Sequence, residues 1–184
     1  MILFCNGMRI AVHQASVGTD RHALIEASCH DLTFDAQGFS LVRGKLGAPK
    51  LIGKTPPPAI SFTTSGETLW CAVSLSRGLG IDVACPEEFM QPYPVPRVFD
   101  PTEIKLTETF VHDPLSRLAL LWSLKEAVAK ALGTGFNTVD PGELTATALY
   151  EKDDKLSGTI ATPKGELPIV AVPVNNCWLA LAQQ

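Results

Sequence analysis

A carboxylic acid, an ammonium and a hydroxyl fall on one strip of a stretch that otherwise reads as a buried helix. Asp113-Pro114 places an N-capping acid before a proline at the first helical position, and Gly133 is a natural stop, so the spacing predicts a helix between them. At about 100° per residue, Leu118, Leu120, Leu121, Trp122, Leu124, Val128, Ala129, Ala131 and Leu132 cover most of its circumference. Ser123, Glu126 and Lys130 share one strip, because positions three and four apart are neighbours on a helix. Charges on such a helix must pair with each other or line a wet cleft, and the residues alone leave both readings open. Lys125 projects into the apolar part of the wheel, where its stem is expected to snorkel to the helix edge and serve packing or a partner contact. A second acid stands in an apolar strand. In Leu79-Gly80-Ile81-Asp82-Val83-Ala84, strand alternation puts Gly80, Asp82 and Ala84 on one side. A carboxylate there is costly unless it meets a metal, another cation or backbone donors; the alternative is an acid at a strand end or turn.

The elements that must position these groups follow from periodicity and punctuation. Asp20 opens a helix reaching Cys29. Strands are expected over 39–42, 60–63, 69–74, 80–83, 145–150, 157–161, 169–172 and 178–182. The Gly/Lys/Pro-rich run Gly44 to Pro58, ending in three prolines, reads as a loop, and Arg77-Gly78 as the turn of an antiparallel hairpin. Pro86, Pro92, Pro94, Pro96 and Pro101 mark a connection between an N-terminal lobe of about 1–90 and a C-terminal lobe of about 97–184. Gly133-Thr134-Gly135 reads as a cap and turn, since a helix C-terminus carries the negative end of the dipole. Strands, then helices, then strands argue for an α+β class over a doubly wound sheet, which needs regular βαβ alternation.

Composition narrows the classes of function. In 184 residues, 46% are hydrophobic and 18% charged, enough apolar material for a packed core. Fifteen basic against nineteen acidic residues give a net charge of −4, which argues against a general grip on nucleic acid or an anionic membrane. Met1 to Cys5 lacks the basic region of a signal peptide and no run reaches about 18 apolar residues, so a soluble, cytoplasmic monomer is expected. Cys5, Cys29, Cys71, Cys85 and Cys177 are odd in number and far apart, so reduced thiols are expected and neither a disulfide framework nor a zinc site.

Together, Gly80-Ile81-Asp82 and the run Trp122-Ser123-Leu124-Lys125-Glu126-Ala127, with Lys130 and Gly133-x-Gly135, resemble the two signature motifs of the 4′-phosphopantetheinyl transferase superfamily. Gly47-Ala48-Pro49 is similar to the family's Gly-Lys-Pro, Ser61 to Gly66 to its Asn-Ile-Ser-His-Ser-Gly, and Phe99-x-x-x-Glu103 agrees as well. The match runs from about residue 40 to the C-terminus and looks like the longer, single-chain type, whose fold is two similar α+β lobes packed as a pseudo-dimer around the active site. Three positions depart from the pattern: Thr64 stands for the family's His, Ala84 for its second acid and Ala48 for its Lys.

The resemblance implies Mg²⁺-dependent transfer of the phosphopantetheine arm of coenzyme A to a serine of an apo acyl or peptidyl carrier protein. It implies Asp82 and Glu126 as metal ligands and Glu126 and Lys130 as catalytic groups. Gly47, Pro49, Thr63, Thr64, Asp82 and Lys130 would bind the coenzyme, with Arg21, His22 and Arg43 as candidates for its 3′-phosphate. The departures leave an alternative, a non-catalytic relative that binds carrier protein or coenzyme A.

Overall fold

The computed structural model describes residues 1–53, 56–90 and 92–184. Four strands, β1 (Ile2–Cys5), β2 (Met8–Ser16), β5 (Ala59–Ser65) and β6 (Thr68–Ser74), form a first sheet in the order β1-β2-β6-β5. Five more, β7 (Leu79–Ala84), β8 (Thr145–Lys152), β9 (Lys155–Thr162), β10 (Gly165–Val174) and β11 (Cys177–Gln183), form a second sheet in the order β7-β11-β10-β9-β8. Every pairing is antiparallel. A small hairpin of β3 (Ser40–Arg43) and β4 (Pro49–Ile52) stands apart. The helices are α1 (Arg21–Asp31), the single turn α2 (Val95–Val98), α3 (Pro101–Thr107) and α4 (Pro114–Ala131).

Alternation along the strands builds four layers. Leu3, Ile10, Val12 and Trp70 on one face of the first sheet pack against Leu79, Ile81, Val83, Val172 and Leu179 on one face of the second. The opposite face of the first sheet, with Ala11, Leu69, Cys71 and Val73, is covered by Leu24, Ile25 and Cys29 of α1. The opposite face of the second sheet is covered by α4, whose Leu118, Leu120, Leu121, Leu124 and Val128 are buried. An α4 that is apolar nearly all round is thus buried between the second sheet and the segments laid over it.

Local signals for the helices hold. The Asp20 side chain accepts from His22 N at the start of α1, and that of Asp113 accepts from Ser116 N at the start of α4. Gly133 follows α4 at φ +80°, a left-handed conformation that favours glycine.

Four expectations need correction. The turn at Arg77-Gly78 does not close a hairpin: the chain crosses there from one sheet to the other, and β7 pairs with β11, where Asp82 lies opposite Ala180. The run from Gly44 to Pro58 is not all loop, since it contains β4, whose Leu51 is buried in the same apolar cluster as Leu24 and Ile25 of α1; its Lys54 and Thr55 lie outside the described residues. The proline-rich segment is more than a connection: Phe89 packs edge-on to Tyr93 at 4.8 Å, and both it and Phe99 are buried in the α4 core. Cys85 and Cys177 form a disulfide, one step beyond the Ala84–Trp178 pair of β7 and β11, while Cys5, Cys29 and Cys71 are free and buried. No sequence pattern links 85 to 177; antiparallel register brings them together. Among the described residues no helix is long and apolar enough to cross a membrane.

Candidate active site

β7 is the edge strand of the second sheet, and its open edge is where the charged groups meet. Three hydroxyls of β5 run along it: Ser61 Oγ accepts from Ile81 N at 3.1 Å, Thr63 Oγ1 donates to Asp82 Oδ1 at 2.7 Å, and Ser65 Oγ lies 3.4 Å from Cys85 Sγ. These contacts occupy an edge that would otherwise offer unpaired backbone groups, and they join the two sheets. On the other side, Lys130 Nζ donates to Asp82 Oδ1 at 2.8 Å and to Ile81 O at 3.1 Å, and stands 3.8 Å from Glu126 Oε1.

Close approach of α4 to β7 makes this possible. A Cβ on Gly80 would collide with the carbonyl oxygen of Ala127, so only glycine permits the strand and the helix to lie this close. Ala127 and Ala131, small and buried, present the matching surface. Lys130, one turn beyond Glu126, then reaches over the strand edge.

The electrostatics differ between the two acids. Asp82 is buried and bound by a hydroxyl and an ammonium through Oδ1, while its Oδ2 accepts no hydrogen bond among the described residues. Glu126 is partly buried; desolvation raises its carboxyl above the ordinary range, Lys130 opposes that rise and Asp82 adds to it. No cluster of three or more metal-ligating side chains occurs among the described residues. Two carboxylates with unfilled acceptor positions nevertheless fit Mg²⁺, which takes one or two carboxylates and completes its shell with water and phosphate oxygens.

Of the residues expected from sequence, the structure brings together Asp82, Glu126, Lys130 and Thr63. Thr63 is engaged with Asp82. Thr64, its neighbour on the strand, is exposed on the opposite face together with Phe62, over whose ring the Arg21 guanidinium sits at 5.2 Å. His22 is exposed on the first turn of α1. Gly47, at φ +81°, and Pro49, opposite Arg43, lie on the small hairpin, and no hydrogen bond joins them to the Asp82 group among the described residues. Ser123 shares the strip only in projection: it is buried, and its hydroxyl donates to Leu120 O at 2.8 Å within its own helix. Ala84 is buried in the apolar α4 cluster with Phe89 and Leu121.

Lys125 corrects the sequence reading most sharply. It is fully buried and does not snorkel; its ammonium pairs with Glu103 at 2.6 Å, also fully buried, and donates to Val98 O and Pro141 O. The sequence marks Glu103 by the Phe99-x-x-x-Glu103 agreement and by the capping-box spacing with Asp100 at the start of α3, but neither names Lys125 as its partner.

None of the curated proteins matches the chain. Residues 78–162 match the family model described as the 4′-phosphopantetheinyl transferase superfamily. Both segments that supply the charged cluster, Gly80 to Asp82 and Trp122 to Lys130, fall inside that stretch, so the match supports the resemblance to the 4′-phosphopantetheinyl transferase superfamily that the two motifs carry.

Proposed function

We propose that the cluster on the β7 edge transfers the 4′-phosphopantetheine group of coenzyme A to a serine hydroxyl of an apo acyl or peptidyl carrier protein. The serine oxygen forms a bond to the phosphorus carrying the pantetheine arm, the pyrophosphate bridge breaks, and adenosine 3′,5′-bisphosphate leaves. The observation that carries this reading is the meeting of Asp82, Glu126 and Lys130 at the edge of β7 within the stretch that the family model matches.

Phosphoryl transfer asks mainly for positioning and charge neutralisation. Asp82 and Glu126 are the groups that would hold Mg²⁺, which when bound neutralises charge on the pyrophosphate. Lys130, with 24% of its side chain exposed, offers its ammonium to the departing phosphate. Glu126, made more basic by desolvation, takes the serine proton. Thr63 holds Asp82 in place through its hydroxyl. Thr64, Arg21, His22, Gly47 and Pro49 would meet the remainder of the coenzyme, on the α1 side of β5 and along the hairpin beside it. Two sheets that share a core and each carry a helix on the outer face support a two-lobed, pseudo-dimeric reading, in which β7 and the segment up to Phe89 go with the C-terminal lobe rather than with a first lobe of about 1–90.

A second reading, a relative that binds carrier or coenzyme without transfer, is favoured by Ala84. The position of the family's second acid is enclosed by apolar side chains as well as changed in type. Intact mass measurement of a panel of apo carrier proteins, incubated with this protein, coenzyme A and Mg²⁺, separates the two. Addition of the phosphopantetheine mass supports transfer; carrier or coenzyme binding with no added mass on any carrier supports the second reading.

A further inference from the structure

We propose that the buried Glu103–Lys125 pair is a positioning device that sets the rotation of α4, and so aims Glu126 and Lys130 at Asp82. The inference rests on the transfer reading for its kinetic consequence and on geometry alone for the positioning itself. All three ammonium protons of Lys125 are used: Glu103 Oε1 at 2.6 Å, Val98 O at 2.8 Å and Pro141 O at 3.0 Å. Glu103 is equally committed, since Oε1 also accepts from Asp100 N at 2.9 Å and Oε2 from Ala146 N at 2.9 Å. The Phe99 ring lies 5.4 Å from the ammonium. One point therefore ties α4 to α2, to α3, to the turn at Pro141 and to the start of β8.

The need for such a tie lies in α4 itself. Apolar packing is non-directional, and a helix that is hydrophobic nearly all round gains little from one rotation over another. A buried charge has a single satisfactory place. Lys125 and Glu126 are adjacent and so about 100° apart on the wheel; with Lys125 fixed to three oxygens on one side, Glu126 and Lys130 must face the β7 edge. Replacing a buried ion pair by apolar groups of similar volume is often neutral for stability, whereas misplacing a reactive group by about 1 Å can cost about a hundredfold in rate. Stability and positioning can therefore be separated.

The test is the double variant Glu103→Gln/Lys125→Met, which removes both charges and leaves neither unpaired. The expected result is a cooperatively folding protein whose kcat for holo-carrier formation falls about ten- to a hundredfold. Its KM for coenzyme and carrier should stay within about threefold of wild type, and its crystal structure should no longer show the Lys130–Asp82 contact. A folded double variant with wild-type kcat, or one that retains that contact, overturns the proposal. If the double variant does not fold, Glu103→Gln alone, which keeps the ammonium and its two carbonyl acceptors, is subjected to the same readings with the same outcomes. The structural reading needs no activity: absence of transfer by the wild type would count against the function, while the Lys130–Asp82 contact still decides the positioning.

Discussion

Lys130 serves three oxygens at once, on Asp82, Ile81 and, at longer range, Glu126, so the β7 edge carries a positive group held between two acids. Glu126 bears the unfavourable side of this arrangement. Because its folded pKa is raised above the ordinary 4.5, the native state holds a proton more tightly than the unfolded chain. Stability accordingly falls as pH rises from 4.5 through the folded value, and the loss is complete above it. Glu126→Gln should melt higher than wild type at neutral pH, with the difference vanishing below about pH 4.5, while transfer is lost; melting curves across that range check it. Ala84 behaves in the opposite sense. Its side chain is buried in the apolar cluster that includes Phe89 and Leu121, so Ala84→Glu puts an unpaired carboxylate into that cluster. Destabilisation of at least about 3 kcal/mol is expected, which lowers Tm by roughly 6–12 °C. A stable Ala84→Glu protein with a reduced Mg²⁺ requirement would show instead that position 84 opens toward the metal site.

Helix α4 and strand β7 form the scaffold of the site, and their separation is set by Gly80. Gly80→Ala must push the helix backbone away from the strand, an overpacking cost of about 1–3 kcal/mol. The same shift would draw Lys130 off Asp82, so turnover should fall about tenfold or more even where the variant remains folded. Urea unfolding and initial rates on the same preparation measure both effects. At the far end of β7, the Cys85–Cys177 bond joins residues 92 apart in sequence. Reduction should lower the unfolding free energy by about 2–4 kcal/mol, seen as a lower urea midpoint in dithiothreitol that Cys85→Ser/Cys177→Ser does not share. These elements differ in how far they could be read beforehand. The bounds of α4 were legible because caps are local: Asp113, Pro114 and Gly133 are adjacent to the ends that they fix. The partner of β7 was not legible, because a turn at Arg77-Gly78 is equally compatible with a hairpin and a crossover, and pairing with β11 is decided a hundred residues later by register. The partners of Lys125 and Cys85 were not legible for the same reason, since a buried charge or thiol does not name its partner in sequence.

At the scale of the whole molecule, two antiparallel sheets share one apolar core, and each is covered outside by a helix. Strands, helices and strands in that order were enough to place the chain in the α+β class, because the class depends only on element type and succession. Stacking the sheets face to face required knowing which face of each strand is apolar on both sides, and β6, buried from Leu69 onward, and β7, buried along its whole length, conceal that alternation. The candidate site lies where the two sheets meet, so a single substitution at its hub tests the account most directly. The measurement is the initial rate of holo-carrier formation by Asp82→Ala, at saturating coenzyme A and Mg²⁺, on a carrier that the wild type modifies. Asp82 is held by one hydroxyl and one partly exposed ammonium, so its removal should leave the fold and melting temperature close to wild type. The predicted result is a loss of at least about a hundredfold in rate, the scale of removing one main electrostatic group from a transition state. Turnover by Asp82→Ala at the wild-type rate would contradict the assignment of transfer to the β7 edge.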